Sequence, residues 1–207
     1  MDLFEERREY TGIHMDIETV PTLPLDLFSE WMSEILDFGV SDPSAAVLST
    51  CSEQKVSSRV VLIKQFNEEG FVFFTNYLSK KSKDIHLNPN ASLLFFWPSC
   101  NKQVRVEGSV KKTSEELSDQ YFSRRPLNSR LAAIFSPQSE NIESMDFIKD
   151  KILDFKKTIE IERPDNWGGY VITPELFEFW QGHENRLHDR IQYQKSGKKW
   201  EISRLAP

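Results

Sequence analysis

The sequence contains few of the residues that mark metal, disulfide and dinucleotide sites. Its two cysteines, Cys51 and Cys100, form no CxxC pair, and its four histidines show neither zinc spacing nor an HExxH motif. Its eight glycines form neither GxGxxG nor a Walker A loop, and GxSxG is also absent. We therefore expect no metal site, no hydrolytic chemistry and no glycine-rich phosphate cradle, so a bound phosphate would be held by side-chain cations and hydroxyl groups.

Long apolar runs and excess positive charge are missing too. The longest apolar run, residues 92–97, is far too short to cross a bilayer, and the charged N-terminus has no apolar signal segment. The formal net charge of −6 disfavours a nucleic-acid partner, and local basic clusters suit small anions better. We expect a cytoplasmic protein with reduced thiols, made of an N-terminal arm, residues 1–24, and one domain, residues 25–207.

Apolar periodicity predicts an α+β fold. Residues 27–36 carry apolar side chains at helical spacing, and Gly39 can end that helix. Later segments alternate with period two between hairpin-length turns, which predicts an antiparallel sheet closed into a small barrel. Strands are predicted at residues 45–51, 56–64, 71–76, 91–97, 103–111, 169–173, 176–180, 187–194 and 199–203. Further helices are predicted partly within 4–10, at 79–87, from a capping box at Thr113-Ser-Glu-Glu116 through Phe122, after Pro126, and at 145–158.

Two basic segments border predicted strands. Within residues 57–64, Arg59 and Lys64 lie on opposite faces of an apolar strand, a pattern that by itself favours an edge strand with solvated charges. Residues 79–83 open a helix with lysines and hydroxyl groups. A helix N-terminus of that composition can bind an anion, but by itself the pattern favours an ordinary capped, solvated helix start.

A third candidate anion site lies in residues 121–129. Tyr121, Arg125 and Ser129 recur every four residues, so a continuous helix would place them on one face, where they could bind one phosphate. Pro126 disfavours helix at Arg125, and a helix–turn–helix surface without a ligand fits the pattern equally well.

The order of these segments resembles the pyridoxamine 5′-phosphate oxidase family, flavin enzymes that make pyridoxal 5′-phosphate. The resemblance runs from Arg7-Arg-Glu-Tyr10 to Arg204-Leu-Ala-Pro207 and covers nearly the whole chain. Its most specific motifs are Ser58-Arg-Val-Val-Leu-Ile-Lys64, Phe122-Ser-Arg-Arg-Pro126, Phe179-Trp-Gln-Gly182 and Asn185-Arg-Leu-His-Asp-Arg190.

The resemblance implies a six-stranded antiparallel split β-barrel of Greek-key type with peripheral helices, working as a homodimer with FMN at the interface. The implied FMN contacts are Arg59, Val60, Val61, Leu62, Ile63, Lys64, Phe74, Thr75, Lys80, Lys81, Gln103, Gln138, Ser139, Trp180 and Arg190. The implied substrate contacts are Arg7, Tyr10, Lys64, Tyr121, Arg125, Ser129, Arg186, Leu187 and His188. Arg186 and His188 are the implied catalytic pair, expected to share one strand face with Arg190.

The implied reaction oxidises pyridoxamine or pyridoxine 5′-phosphate by hydride transfer to the flavin. Molecular oxygen then reoxidises the flavin to give hydrogen peroxide, and the amine substrate releases ammonia. Two alternative functions are also compared with this one. A flavin-binding barrel could store or sense the cofactor without turnover, since fold does not fix function. An RNA-binding small barrel is disfavoured by the net charge of −6.

Overall fold

In the computed structural model, which describes residues 1–6, 8–155 and 161–207, helices flank one antiparallel sheet. The described helices are α1 (Pro24–Asp37), α2 (Lys80–Leu87), α3 (Glu115–Arg124), α4 (Leu127–Phe135) and α5 (Asp146–Leu153). The described strands are β1 (Ala45–Ser52), β2 (Lys55–Leu62), β3 (Gln65–Asn67), β4 (Gly70–Asn76), β5 (Asn90–Trp97), β6 (Lys102–Lys112), β7 (Trp167–Gln181), β8 (Asp189–Ser196) and β9 (Lys199–Arg204). The predicted α+β class is confirmed.

The strand order requires the sheet to close on itself. The strands follow the order β2-β1-β5-β6-β7-β4-β3, so β2 and β3 lie at its two ends. The three peptide units between Leu62 and Gln65 reach at most about 11 Å, so the two edges must meet. Backbone hydrogen bonds from Ile63 to Ser44 (2.9 Å) and from Lys64 to Val72 (2.8 Å) fix the junction. With β2 and β3 acting as two halves of one bent strand, the ring has six members, and the barrel is confirmed.

Helix α1 packs one apolar stripe against the barrel core. Leu27, Trp31 and Ile35 are buried, and Phe28 is fully buried, with ring centroids 4.9 Å from Phe71 and 5.1 Å from Phe95. Leu36, predicted within the same apolar pattern, is 58% exposed. The helix is therefore held by its apolar stripe on the barrel, and truncation of a fully buried aromatic ring there costs about 3–5 kcal/mol.

Strand β7 is the common partner of three other strands. It pairs with β6 along its length, with β4 through its first half and with β8 through its second half. The prediction of two separate strands, 169–173 and 176–180, is wrong because a bulge between Glu107 and Gly108, opposite Pro174, lets β7 continue. A Cβ at Gly108 would stand 2.0 Å from the Thr173 carbonyl oxygen, so the bulge requires glycine there.

The predicted strand 187–194 starts later than expected. Asn185 and Arg186 have φ values of 55° and 60°, which place residues 184–186 in a 3₁₀ turn, and β8 begins at Asp189. The expectation that Arg186, His188 and Arg190 share a strand face is therefore wrong. Left-handed residues inside the segment break the alternation on which that expectation rested.

Three other predicted boundaries also differ. The cap of α3 is Ser114, whose hydroxyl accepts a hydrogen bond from the Leu117 backbone nitrogen at 3.2 Å, and not Thr113. The described residues of 4–10 form a turn and no helix. Helix α5 ends at Leu153, and residues 156–158 of the predicted helix lie outside the described residues. None of the described helices combines the length and apolar character needed to cross a membrane.

Candidate functional site

A cavity of about 270 Å³ between β2, β4 and α3 combines cations with aromatic rings. Its described lining residues are Val60, Val61, Leu62, Lys64, Phe74, Thr75, Lys81, Tyr121, Arg125, Gln138 and Trp167. Three of these carry positive charge, and none of the described lining residues is a carboxylate. A cavity with that charge balance is suited to an anionic ligand.

Lys81 is the most deeply placed cation of the cavity. It is 8% exposed, and its ammonium donates to Thr75 Oγ1 at 3.1 Å and to Ser79 Oγ at 3.2 Å. Burial, and then repulsion from Arg59, lowers the pKa of Lys81 to about 8. Among the described residues no carboxylate pairs with this ammonium, so one of its three donors remains for a ligand.

Arg59 and Lys80 lie beside the cavity, and both already form hydrogen bonds within the protein. The Arg59 guanidinium donates to Thr50 Oγ1 at 2.8 Å and to Ser57 Oγ at 2.7 Å, and lies 3.9 Å from Asp84. Lys80 binds both oxygens of Asp84 at 3.0 Å. Although burial opposes it, hydrogen bonds from Lys80 and neighbouring hydroxyl groups hold the pKa of Asp84 below its usual range. Asp84 therefore pairs with both cations and offsets one of their two charges, whereas Lys81 has no carboxylate partner among the described residues.

Arg125 enters the cavity because the helix breaks at this residue. Its backbone is extended (φ −71°, ψ 147°), as expected before Pro126, and separates α3 from α4. Its guanidinium lies 4.7 Å from the Trp167 ring centroid, and its buried Nη1 has no hydrogen-bond partner among the described residues. An unpaired buried donor costs about 1–3 kcal/mol, which a bound anion would recover.

The break also changes the predicted grouping of Tyr121, Arg125 and Ser129. The single helical face is not formed, because α4 starts after the extended Arg125. Tyr121 and Arg125 line the cavity together, whereas Ser129, in the first turn of α4, is not among its lining residues. The expected pairing of phenol and guanidinium is therefore present, and the hydroxyl lies apart from it.

Trp167 is a cavity residue that the sequence analysis missed. The Phe74 ring stacks on Tyr121 at 4.0 Å and on Trp167 at 5.7 Å, which makes one aromatic wall. Trp167 precedes two glycines, and a Cβ at Gly168 would stand 2.2 Å from the Tyr77 hydroxyl oxygen. An aromatic residue followed by paired glycines at the start of a strand was a readable signal of close packing.

A second cavity, of about 430 Å³, lies between the arm and the 3₁₀ turn of residues 184–186. Its lining includes Tyr10, His183, Arg186 and His188. The Tyr10 ring stands edge-on to His188 at 5.5 Å and to Trp180 at 5.4 Å. The two cavities have no lining residue in common among the described residues, so one chain divides the predicted site residues between two places.

The backbone fixes the tautomer of His188. The His183 backbone N–H donates to His188 Nδ1 at 3.0 Å, so the neutral ring carries its proton on Nε2. Burial, and then the charges of His183 and Arg186, lowers the pKa of His188. At neutral pH His188 is therefore a hydrogen-bond donor through Nε2 and carries no charge.

The remaining predicted site residues lie around these two cavities. Gln103 pairs with Trp180 across β6 and β7. Arg190 donates to Glu178 at 2.8 Å and to the Ala206 carbonyl at 2.8 Å, and the Glu178 bond raises its pKa. Ser139, next to the cavity residue Gln138, has a left-handed backbone with a φ of 73°. Ile63 is buried in the core, whereas Leu187 is exposed. Arg7 lies outside the described residues.

Comparison with known proteins assigns the chain to a family. The family model described as pyridoxamine 5′-phosphate oxidase matches residues 32–158, and the one described as the pyridoxine 5′-phosphate oxidase C-terminal dimerisation region matches residues 167–207. The pyridoxine/pyridoxamine 5′-phosphate oxidase of Flavobacterium johnsoniae is 46% identical over 211 residues, covering 99% of both chains. The chain belongs to the pyridoxamine 5′-phosphate oxidase family. Its relative of the same name from Bacteroides thetaiotaomicron is 45% identical over 206 residues, covering 97% of each chain.

Solved structures share the fold of this family member. PhzG of Burkholderia lata, solved in complex with tetrahydrophenazine-1-carboxylic acid, superposes with a TM-score of 0.88 at 23% identity, covering 97% of this chain and all of the other. A pyridoxamine 5′-phosphate oxidase-related, FMN-binding protein of Nostoc punctiforme gives a TM-score of 0.72 at 15% identity, covering 91% of this chain and all of the other. At these identities the likeness establishes the split-barrel fold.

Proposed function

We propose that this chain is an FMN-dependent oxidase that converts pyridoxamine and pyridoxine 5′-phosphate to pyridoxal 5′-phosphate. The observation that carries the proposal is the cavity in which Lys64, Lys81 and Arg125 meet without a carboxylate among the described lining residues. Family membership adds the reaction class, because the relatives over 40% identical are named for this oxidation. The cytoplasm is its proposed location.

The described residues fit FMN at the inner side of that cavity. Lys81 offers an unneutralised cation to a phosphate, with Arg59 and Lys80 adding positive charge behind it. The apolar residues 60–62 and Phe74 offer cover for a flat ring, and Thr75 and Gln138 offer polar atoms. Bound FMN would supply the chemistry, by taking a hydride from the substrate carbon and passing the electrons to oxygen with formation of hydrogen peroxide.

The substrate phosphate is assigned to Lys64, Tyr121 and Arg125, with Ser129 nearby in α4. Arg125 brings a planar guanidinium whose buried Nη1 has no hydrogen-bond partner in the described part of the chain, and Lys64 brings an exposed point charge. The Tyr121 hydroxyl can donate to a phosphate oxygen, because burial raises its pKa and keeps it protonated. These groups bind and orient the substrate without taking part in electron transfer.

Arg186 and His188 are assigned to the reacting end of the substrate. Neutral His188 donates from Nε2, and Arg186 brings positive charge on a turn with left-handed backbone. A substrate amine that binds neutral needs no strong general base, so both residues serve to orient the substrate. Ammonia then leaves after water hydrolyses the imine.

A homodimer brings the two residue groups together in this proposal. Within the described part of one chain the two cavities have no lining residue in common, and residues 167–207, which carry Arg186 and His188, match a dimerisation region. Strand β2, beside the first cavity, leaves Val56 71% and Val60 64% exposed. Burial of this apolar edge against a partner would let FMN lie at the interface, with Arg186 and His188 of one chain reaching the first cavity of the other.

The proposed domain division assigns residues 1–24 to a lid and residues 25–207 to the barrel. Arg8 donates to the Pro98 carbonyl at 2.5 Å, and the Gly12 N–H donates to the Gly182 carbonyl at 3.0 Å. A Cβ at Gly182 would stand 2.7 Å from the Tyr10 ring, so the arm passes close over this loop. Tyr10 is thereby held beside His188.

The test is turnover by the purified yellow protein. Pyridoxamine 5′-phosphate added under air should yield hydrogen peroxide and an aldehyde that absorbs near the visible range. Arg125→Met should raise KM for the phosphorylated substrate by at least about tenfold, because a charged hydrogen bond is lost, while Arg124→Met, on the exposed side of the same segment, should not. A yellow protein that yields neither product would instead be a flavin storage or sensing barrel.

A further inference from the structure

Three side chains that the proposed reaction does not use meet between the arm and β8. They are His14, His183 and Asp189, and one potential ligand atom from each lies within 4.8 Å of the others. His14 is exposed, whereas His183 and Asp189 are buried. Imidazole nitrogen and carboxylate oxygen are the donor set of many zinc sites.

The two imidazole rings converge on one carboxylate oxygen. His14 Nδ1 lies 3.0 Å and His183 Nε2 lies 2.9 Å from Asp189 Oδ2. The rings stack with centroids 4.0 Å apart and planes 19° apart, and one nitrogen of each lies within hydrogen-bond distance of that oxygen. The ligand atoms are therefore gathered from three separate segments without any need for the backbone to move far.

The carboxylate is held in place by partners that need not leave. Arg204 binds Asp189 Oδ1, and the Met15 backbone N–H donates to Oδ2 at 2.9 Å. Arg204 on Oδ1 and the Met15 N–H on Oδ2 thus orient the carboxylate, and a metal ion would replace the two histidine hydrogen bonds on Oδ2.

We propose that His14, His183 and Asp189 form a binding site for a divalent transition-metal ion, with zinc the best fit. The ion would bind His14 Nδ1, His183 Nε2 and Asp189 Oδ2, and water would complete a tetrahedron on the side of His14, whose side chain is 80% exposed. Each imidazole would bind the ion through one ring nitrogen and carry its proton on the other.

The charge balance selects the kind of ion. Arg204 offsets the single carboxylate, so the site attracts cations mainly through its two imidazole nitrogens. Magnesium and calcium prefer several oxygen ligands and are poorly served, whereas zinc binds imidazole well. The neighbouring Arg190 is already paired with Glu178 and adds little repulsion.

A metal here would tie the arm to the loop that positions His188. His14 belongs to the arm, and His183 donates its backbone N–H to His188 Nδ1. By fixing His14 and His183, the ion would hold the arm in place and keep the His183 backbone N–H positioned to select the His188 tautomer. Metal binding itself does not depend on the proposed oxidase reaction, so the two ideas can fail separately.

The test is the zinc content of the flavin-loaded protein after chelator treatment and equilibrium dialysis against zinc chloride. Wild-type protein should bind one zinc per chain. His14→Ala and His183→Gln should lose it, and His86→Ala, which alters an exposed histidine on α2, should keep it. The proposal is overturned if wild-type protein binds no more zinc than His14→Ala, or if His86→Ala loses as much zinc as His14→Ala.

Thermal unfolding gives a second readout that does not depend on catalysis. Zinc at about 100 times its dissociation constant should raise the unfolding midpoint of wild-type protein by about 5–10 °C. His14→Ala should show no such rise, and because His14 is largely exposed its removal should leave the metal-free midpoint nearly unchanged. A rise of equal size with magnesium, or in His14→Ala with zinc, contradicts the site.

Discussion

Lys81→Met should stabilise the flavin-free protein while weakening its hold on FMN. Burial lowers the pKa of Lys81 from its ordinary value of 10.5 to about 8. That change corresponds to at most about 3 kcal/mol. Because the ammonium opens onto a cavity that water can enter, solvent screening reduces the effect to about 1–2 kcal/mol. The charged lysine thus lowers stability by about that amount when no anion is bound.

The contribution of Lys81 to the free energy of unfolding depends on pH in a definite direction. Between pH 8 and 10.5 the unfolded chain keeps the Lys81 proton that the folded chain has lost, so unfolding free energy rises with pH across this window. Below pH 8 Lys81 is protonated in both the folded and the unfolded chain, so the full cost of burying its charge is present. At pH 7 Lys81→Met should therefore raise the midpoint of flavin-free protein by about 2–8 °C, and the gain should shrink toward pH 10.5.

The assay is thermal unfolding of flavin-free protein by circular dichroism, paired with FMN titration by flavin fluorescence. Lys83→Met is the matched control, since Lys83 lies on the same helix and is exposed; it should change neither quantity. Loss of one charged hydrogen bond to the phosphate should weaken FMN binding by at least about tenfold in Lys81→Met. A variant that is less stable at pH 7 and binds FMN normally would refute the reasoning.

Three further predictions concern catalysis and folding. Arg186→Leu should leave the yellow colour intact and lower kcat/KM by about 100-fold, because only substrate orientation is lost; loss of colour would assign Arg186 to the flavin. The acid limb of kcat/KM should lie below pH 6.5, the ordinary pKa of histidine, because burial lowers the pKa of His188, and a limb above that value would contradict its neutral state. Phe28→Ala should lower the free energy of unfolding in urea by about 3–5 kcal/mol, whereas Leu36→Ala, on the exposed side of α1, should change it by less than about 1 kcal/mol.

The sequence predicted the elements that follow from local periodicity. Strand β2 and helix α2 are found within a residue or two of their expected bounds, because alternation and helical spacing are set by neighbours along the chain. The family motifs also predicted phosphate contacts for Lys64, Lys81 and Arg125. Their meeting in one cavity, separate from Arg186 and His188, depends on barrel closure and could not be read from spacing.

The errors have specific physical causes. Asn185 and Arg186 adopt left-handed backbone that asparagine tolerates but does not require, so no residue of this segment marks the end of the strand alternation. Trp167 joins the aromatic wall only because β4 and β7 pair, and these strands are far apart in the chain. His14 and His183 meet through Asp189 across the arm and loop, and no spacing rule covers ligands from three segments.

The distribution of carboxylates explains how the cavity can hold unpaired cations and still fold. Asp84 pairs with both Arg59 and Lys80, and Glu178 pairs with both Arg105 and Arg190, so each of these four cations has an internal carboxylate partner. Lys81 and Arg125 have no such partner among the described residues, and each has its pKa lowered chiefly by burial. Because stability lost at these two side chains returns only when an anion binds, the fold is biased toward the ligand-bound state. Replacing both by neutral residues should therefore make the flavin-free protein more stable and reduce the stabilisation that FMN provides.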